Sequence, residues 1–274
     1  MVLPIAYISA KGGTKLARVR KKEKNGPGLL FILVTLVVVA VIGARFFGFY
    51  PEEQKGTESP EAPGVEQPKT PLGTHGQRKP SVLVFHSHAT ENYKPNASHR
   101  RGGEIGDIVE VGKVFVDTLE KSGVMVIHDL TVHDKPRYSD AFINSAKMVE
   151  AALGENDQIQ MVLDIHRDGL QDKPEGFTTV TVNGQEVAKI LFVIGDKDNL
   201  NMKDNMAFAQ SLSDALEAKY PGVTRGVRVF KSNYSGQLHP NSVMVVIGDW
   251  EGNSIEQAKA SAHLLADVVA TLIR

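Results

Sequence analysis

The chain has 274 residues, no cysteine and a formal net charge of −1, with 31 lysines and arginines against 32 aspartates and glutamates. These values exclude a disulfide framework and a thiolate metal site, and they make no case for nucleic-acid binding. The length is enough for one sizeable globular domain with accessory segments.

The N-terminal part of the chain has the charge pattern of a membrane anchor. Residues 1–28 form a basic tail, in which seven lysines and arginines face a single glutamate. Residues 29–47 are almost entirely apolar and approach the roughly 20 residues that cross a bilayer. The residues after this run make a poor signal-peptide cleavage site. Because the basic flank precedes the span, we expect a single-pass anchor in the cell membrane, with the rest of the chain extracytoplasmic.

Residues 48–80 have the composition of a linker. Beyond the aromatic residues at its start, this stretch is rich in Pro, Glu, Gly, Gln, Lys and Thr, and it has too few large apolar residues to bury a core. It predicts a flexible, disordered tether, which would span about 30 Å on average. Residues 81–274 then remain as the extracytoplasmic domain.

Strand and helix patterns alternate from residue 81 onward. Strands are predicted at 81–85, 124–127, 159–165, 227–230 and 242–247. Helices are predicted at 107–121, 138–153, 204–219 and from Asn253, where Glu256 suggests a partial capping box. Residues 177–194 predict a hairpin around Asn183-Gly184. The alternation predicts one three-layer α/β domain, a twisted sheet flanked by helices.

Histidines and carboxylates follow two of the predicted strands. His86, His88 and Glu91 follow the first strand, and Asp164, His166 and Asp168 lie at the end of the third. Open α/β sheets place their ligands at the carboxyl ends of strands, and imidazole and carboxylate are zinc ligands. The alternative is that these histidines only cap strands by hydrogen bonding.

This set of residues suits hydrolysis of an amide bond. One zinc held by two histidines and one carboxylate leaves a position for a water that attacks a carbonyl. A second carboxylate would accept the proton of that water and pass it to the leaving amine. No nucleophile elbow, P-loop or dinucleotide-binding fingerprint is present in the sequence.

The same motifs carry a family resemblance. They are His86-Ser-His88-Ala-Thr-Glu91-Asn-Tyr93, Asp164-Ile-His166-Arg167-Asp168, Tyr220-Pro-Gly222 and Asn253-Ser-Ile-Glu256. In this order, from about residue 81 to 274, they resemble the stage II sporulation protein P family. The resemblance implies a peptidoglycan hydrolase of endospore formers, similar to zinc N-acetylmuramoyl-L-alanine amidases and with added endopeptidase activity. It implies an amidase-like α/β fold and a role with stage II sporulation proteins D and M at the septum during engulfment.

The resemblance also implies roles for individual residues. Metal ligands are expected among His86, His88, Glu91 and His166, with His86 and His88 left as alternatives. The expected catalytic residues are Glu91, His88 and Asp168. The residues expected to contact substrate are Tyr93, Arg167 and Tyr234. Glu110 is a weaker substitute for Glu91, because an acid at a helix N-terminus is usually only solvated.

One departure from the family pattern bears on catalysis. The family carries Ile-Glu-Val-Gly near the last strand, and here the matching run is Val245-Val246-Ile247-Gly248. Valine cannot transfer a proton, so either Glu91 or Glu251 takes this role, or catalysis is weak or absent. Two alternatives to an amidase therefore stay open. One is a non-catalytic relative that binds peptidoglycan or recruits septal partners, and the other is a zinc peptidase acting on peptide cross-links.

Overall fold

A central sheet of six strands organises the domain. The computed structural model describes residues 81–273. The strands are β1 (Ser81–Phe85), β2 (Met125–His128), β3 (Ile159–Asp168), β4 (Thr179–Val182), β5 (Gln185–Ala188), β6 (Ile190–Gly195), β7 (Thr224–Phe230) and β8 (Ser242–Asp249). The helices are α1 (Asp107–Lys121), α2 (Ala141–Glu155), α3 (Met202–Lys219) and α4 (Ile255–Leu272).

The strand order of the sheet is β2-β1-β3-β8-β6-β7, while β4 and β5 form a separate hairpin. Strands β2, β1, β3 and β8 run parallel to one another. Strand β6 is antiparallel to β8 and parallel to β7, so the sheet is mixed. The central strand β3 is buried over almost its whole length, as expected of a parallel strand that is covered on both faces.

The two faces of the sheet are covered unequally. Alternate residues such as Val82 and Val84 join the core beneath α1, α3 and α4, whereas Leu83 and Phe85 face the opposite way and pack near Val149 of α2. Because a strand points successive side chains to opposite faces, each apolar strand serves both cores. On the second face α2 packs over β1 and β3, while Phe142 and Tyr234 pack on the apolar residues of β8 and β6 beside the carboxyl end of β3.

The structure confirms the mixed α/β sheet with flanking helices and most of the predicted elements. The N-terminus of α4 differs from the prediction, because Ser254 is the N-cap and forms a capping box with Gln257. The predicted Asn183-Gly184 turn is present between β4 and β5, and both residues have positive φ angles of 51° and 81°, as this tight turn requires.

Strand β3 is longer than predicted. The apolar run ends at Ile165, but the backbone continues as a strand to Asp168, because β8 pairs with it up to that residue. His166 and Asp168 therefore belong to the strand rather than to the loop that follows it.

The predicted basic tail, the membrane span at 29–47 and the tether at 48–80 lie outside the described residues. Within residues 81–273, none of the helices combines the length and the apolar character that crossing a bilayer requires.

Two glycines in helices provide a test of how closely α1 packs on the sheet. A Cβ at Gly112 would lie 2.5 Å from Nε2 of His86, whereas a Cβ at Gly154 would have no atom within 4 Å. We predict that Gly112→Ala lowers the free energy of unfolding by about 1–3 kcal/mol, because the core is overpacked there. Gly154→Ala should raise it by about 0.5 kcal/mol through helix propensity. Urea unfolding measures both, and an equal response to the two substitutions would contradict this packing.

Candidate metal centre

The candidate site lies where the parallel strands β1 and β3 end side by side. Phe85, the last residue of β1, is paired with Asp164 of β3. Strand β3 then continues to Asp168, while the chain after β1 turns through residues 87–90. This arrangement carries the residues after β1 over the end of β3, which brings two stretches of sequence more than 70 residues apart into contact.

Three buried side chains meet at this point, and we call them the metal-binding group: His88, Glu91 and His166. Each offers one ligand atom, and these atoms all lie within 4.8 Å of one another. Tetrahedral zinc with bonds of about 2.0–2.2 Å needs its ligand atoms about 3.5 Å apart, so small side-chain rotations close the group around an ion. Two imidazoles and one carboxylate are also a donor set of catalytic zinc sites. The residues therefore fit a metal ion.

His166 is fixed by polar partners on both of its ring nitrogens. Nε2 lies 2.9 Å from Oδ1 of Asp164 and 2.8 Å from Oγ of Ser87, while Nδ1 lies 3.3 Å from Oε2 of Glu91. Ser87 in turn donates to Asp164 from its backbone N–H and its hydroxyl. A carboxylate behind a ligating histidine orients the ring and raises its basicity. Asp164 and Ser87 thus direct Nδ1 toward the metal-binding group.

The same two carboxylates raise the pKa of His166. Burial alone would lower this pKa, but the charges and hydrogen bonds of Asp164 and Glu91 raise it to about 10. The two carboxylates therefore favour the protonated, positively charged form of the ring. Because a ligating imidazole must be neutral, metal binding here releases a proton.

Glu91 is held as an anion by its neighbours. Burial would raise its pKa, but His166 and Arg167 outweigh burial and lower the pKa to about 2. The backbone N–H of Arg167 donates to Oε2 of Glu91 at 3.1 Å, and Nη1 of Arg167 lies 3.5 Å from Oε1. Arg167 also donates to Asn92 and Ser98, so its position is fixed. A carboxylate with so low a pKa is a good metal ligand and a poor general base at neutral pH.

His88 lies in an aromatic enclosure at the mouth of the site. Its ring stacks on Tyr138 with centroids 4.0 Å apart and meets Phe142 edge to face at 5.0 Å. Burial, with a further contribution from the charge of His166, lowers the pKa of His88 to about 4. The ring is therefore neutral at physiological pH and available as a ligand.

His86 lies apart from the metal-binding group. Its Nδ1 donates to the carbonyl of Ile165 at 3.0 Å, which leaves Nε2 to accept from Nε2 of His128 at 3.1 Å. Both nitrogens are therefore engaged on the face of the sheet that α1 covers, beside Gly112. Of the two alternative ligands in the His86-Ser-His88 motif, the structure brings only His88 to Glu91 and His166.

The structure contradicts the expectation that Tyr93 contacts substrate. Tyr93 is fully buried, and its hydroxyl donates to the carbonyl of Ile247 at 2.7 Å. The side chain therefore ties the loop after β1 to β8 and has no surface for a ligand.

A cavity of about 400 Å³ opens beside the metal-binding group. It is lined by the metal-binding group itself and by Tyr138, Phe142, Arg167, Asp168, Leu170, Leu191, Val193, Arg228, Phe230, Tyr234, Met244 and Val246. The expected residues Arg167, Asp168 and Tyr234 thus all reach it. Asp168 is held there by Arg225, whose two terminal nitrogens both lie 3.0 Å from Oδ2 of Asp168.

Val246 lines this cavity beside His166. It is paired with His166 across β3 and β8, so its side chain lies next to the metal-binding group on the same face. The other proposed carboxylates are elsewhere. Glu251 is half exposed and pairs with Lys94 at 2.8 Å, and Glu110 pairs with Lys259 on the helical face. Asp168 and Glu91 are the carboxylates that line the cavity.

Several residues of the site were not assigned a role from the sequence. Asp164 alternates with His166 along β3, so a shared face could have been inferred, but its hydrogen bond to the ring could not. Tyr138 and Phe142 lie in the predicted helix at 138–153, where they look like ordinary surface and core positions. Arg228 lies on a short strand without any motif.

Comparison with known proteins places the chain in a family. The profile of stage II sporulation protein P matches residues 49–270. The chain belongs to the stage II sporulation protein P family. The stage II sporulation protein P of Bacillus subtilis (strain 168) is 28% identical over 236 residues, which cover 80% of this chain and 56% of that protein. This chain therefore spans little more than half the length of that relative.

Among solved structures, this member of the stage II sporulation protein P family is similar to two amidases. The N-acetylmuramoyl-L-alanine amidase AmiC2 of Nostoc punctiforme is 20% identical with a TM-score of 0.45, over 72% of this chain and 97% of that chain. The CwlD amidase from Clostridioides difficile, solved in complex with the GerS lipoprotein, is 12% identical with a TM-score of 0.48, over 72% and 100% of the two chains.

The metal-binding group makes a testable prediction about zinc affinity. We expect His88→Gln to abolish tight zinc binding, and His86→Gln to leave it within a few-fold of wild type, because only His88 faces Glu91 and His166. Asp164→Asn should weaken binding by roughly 10–100-fold, as loss of an outer partner of a ligand does. Competition with a chromogenic chelator measures all three affinities, with circular dichroism as the check on folding. Loss of zinc from a folded His86→Gln variant, with retention in His88→Gln, would contradict this assignment.

Proposed function

We propose that this chain is a zinc-dependent peptidoglycan hydrolase of the N-acetylmuramoyl-L-alanine amidase type. The observation that carries the proposal is the buried metal-binding group of His88, Glu91 and His166 at the edge of an open cavity. Membership of the stage II sporulation protein P family supports peptidoglycan as the substrate.

The residues of the site would have different roles in amide hydrolysis. A zinc ion held by the metal-binding group would supply Lewis-acid activation of a water and of the substrate carbonyl. Asp164 and Ser87 hold the His166 ring in its ligating orientation. Arg167 fixes the Glu91 carboxylate. Tyr138 and Phe142 pack against His88 and exclude water from its side of the group.

In this proposal, Asp168 is the residue that transfers the proton. Val246 cannot carry a proton, and the lowered pKa of Glu91 suits a ligand rather than a base. Asp168 is the remaining carboxylate of the cavity among the described residues, and Arg225 holds it in place. Asp168 would accept the proton of the attacking water and return it to the leaving amine.

The cellular setting belongs to the same proposal. We place residues 29–47 in the cell membrane as a single span, with the tether at 48–80 carrying an amidase-like domain toward the wall. Family membership supports action at the sporulation septum during engulfment, together with stage II sporulation proteins D and M, and an added endopeptidase activity. The hydrophobic run after a basic tail supports the anchor.

A second candidate function follows from Val246. An apolar side chain lies beside His166 at the position where the family pattern has a glutamate. If the site lacks an effective base, the domain would bind peptidoglycan or recruit septal partners without cutting the wall. A zinc peptidase acting on cross-links would use the same ligands and differ only in the bond it cuts.

Digestion of purified peptidoglycan tests the proposed activity. The full chain, kept in mild detergent, is incubated with peptidoglycan in zinc or in chelator, and released fragments are identified by mass spectrometry. We expect zinc-dependent release of free stem peptides that begin at the residue bonded to muramic acid. His166→Ala should abolish this release, whereas His263→Ala, a control on the surface of α4, should not.

Other products would decide between the alternatives. Fragments that keep stem residues on muramic acid would identify a peptidase instead of an amidase. Absence of any fragment from folded, zinc-loaded protein would contradict the enzyme and favour the binding role.

Val246 offers a separate test of whether a base beside His166 adds to the one that Asp168 provides. We predict that Val246→Glu raises the rate of peptide release at least 10-fold, since a positioned general base contributes about 10²–10⁴-fold. Val246→Gln is the matched control, because it has nearly the same shape and polarity but accepts no proton. Equal rates for the two variants would show that position 246 does not serve proton transfer in this site.

A further inference from the structure

The cavity extends well beyond the metal-binding group, across strands β8, β6 and β7. Its floor is apolar and is formed by Leu191 and Val193 of β6 with Met244 and Val246 of β8. At its far side Arg228 and Phe230 project from the edge strand β7, and both are exposed. The space is therefore longer than the cleavage of a single amide bond requires.

The charged side chains of this cavity are paired, with one exception. Glu91 is matched by Arg167, with Oε1 and Nη1 3.5 Å apart. Asp168 is matched by Arg225 at 3.0 Å. Arg228 has neither an ion pair nor a side-chain hydrogen bond within residues 81–273. Among the described residues, Arg228 is therefore the charged side chain of this cavity that is open to a ligand.

The strand register sets the distance of this cation from the reacting bond. Asp164 is paired with Met244, Met244 with Val193, and Val193 with Arg228. Three strand spacings of about 4.8 Å place the Arg228 backbone about 14 Å from β3. Side chains stand roughly perpendicular to a sheet, so the guanidinium also lies on the order of 14 Å from β3. An extended peptide covers this distance in about four residues, at about 3.3–3.6 Å each.

We propose that Arg228 forms a carboxylate-binding subsite that selects stem peptides with a free carboxylate about four residues from the cleaved bond. The proposal rests on the function proposed above. A guanidinium binds a carboxylate through two parallel hydrogen bonds, which gives orientation as well as affinity. Phe230, 45% exposed beside Arg228, provides an apolar surface for the aliphatic part of the peptide.

Binding of small ligands tests this subsite without any need for cleavage. The full chain, stripped of metal with chelator, is titrated calorimetrically with a synthetic muramoyl tetrapeptide. A second ligand is the same compound with its carboxyl groups amidated. We expect wild type to bind the free acid roughly 10–100-fold more tightly, because hydrogen bonds between charged groups are the strong ones.

Variants of Arg228 test whether this side chain causes the preference for the free acid. Arg228→Gln should lose the preference for the free acid and bind the amidated ligand as wild type does, while Arg228→Lys should keep part of the preference. Arg101→Gln, a control that removes an exposed arginine outside the cavity, should behave as wild type. Urea unfolding should show equal stability for all of the variants.

Two results would overturn the subsite. One is an Arg228→Gln variant that still prefers the free acid as strongly as wild type. The other is wild type that binds neither ligand or does not discriminate between them. Peptidoglycan digestion tests the proposed activity separately. A protein that prefers the free acid but releases no fragments would support the Arg228 subsite and contradict the proposed hydrolase activity.

Discussion

His166 is held between two buried carboxylates, and the rest of the site depends on that contact. Asp164, two residues earlier on the same face of β3, takes one ring nitrogen, and Glu91, from the loop after β1, faces the other. The contact with Asp164 sets the orientation of the ring. The contact with Glu91 joins the end of β1 to the end of β3. Burial of these charges is tolerated because each has a partner, with Arg167 as the second cation beside Glu91. Removal of one member would leave an uncompensated charge in the core.

The parallel pairing of β1 with β3 makes this contact available. Their register brings the carboxyl ends together, and α2 covers only part of the sheet beyond them. Apolar residues of β8 and β6 on this face then form the floor of the cavity. The geometry of the metal-binding group, the access to its cavity and the position of Val246 beside His166 thus follow from one feature of the topology. A helix over β8 and β6 would close the site without changing any ligand.

The sequence predicted the layered α/β domain and the two strand ends that meet, because apolar periodicity and strand length are local properties. It could not decide between His86 and His88, since both follow the same strand and the turn after Phe85 determines which ring faces β3. It placed Tyr93 in contact with substrate, but the hydroxyl of Tyr93 is used by a carbonyl of β8, 154 residues away. Arg228 carried no signal, because its significance depends on which neighbouring charges are already paired, and pairing is a property of the fold.

The central claim is that His88, Glu91 and His166 together hold a metal ion, and X-ray diffraction from zinc-soaked crystals tests it most directly. Data collected on both sides of the zinc absorption edge locate bound zinc by its anomalous signal. Our account predicts a peak within bonding distance of Nδ1 of His166, the carboxylate of Glu91 and the ring of His88. A peak between His86 and His128, or no peak from protein crystallised with excess zinc, would contradict it.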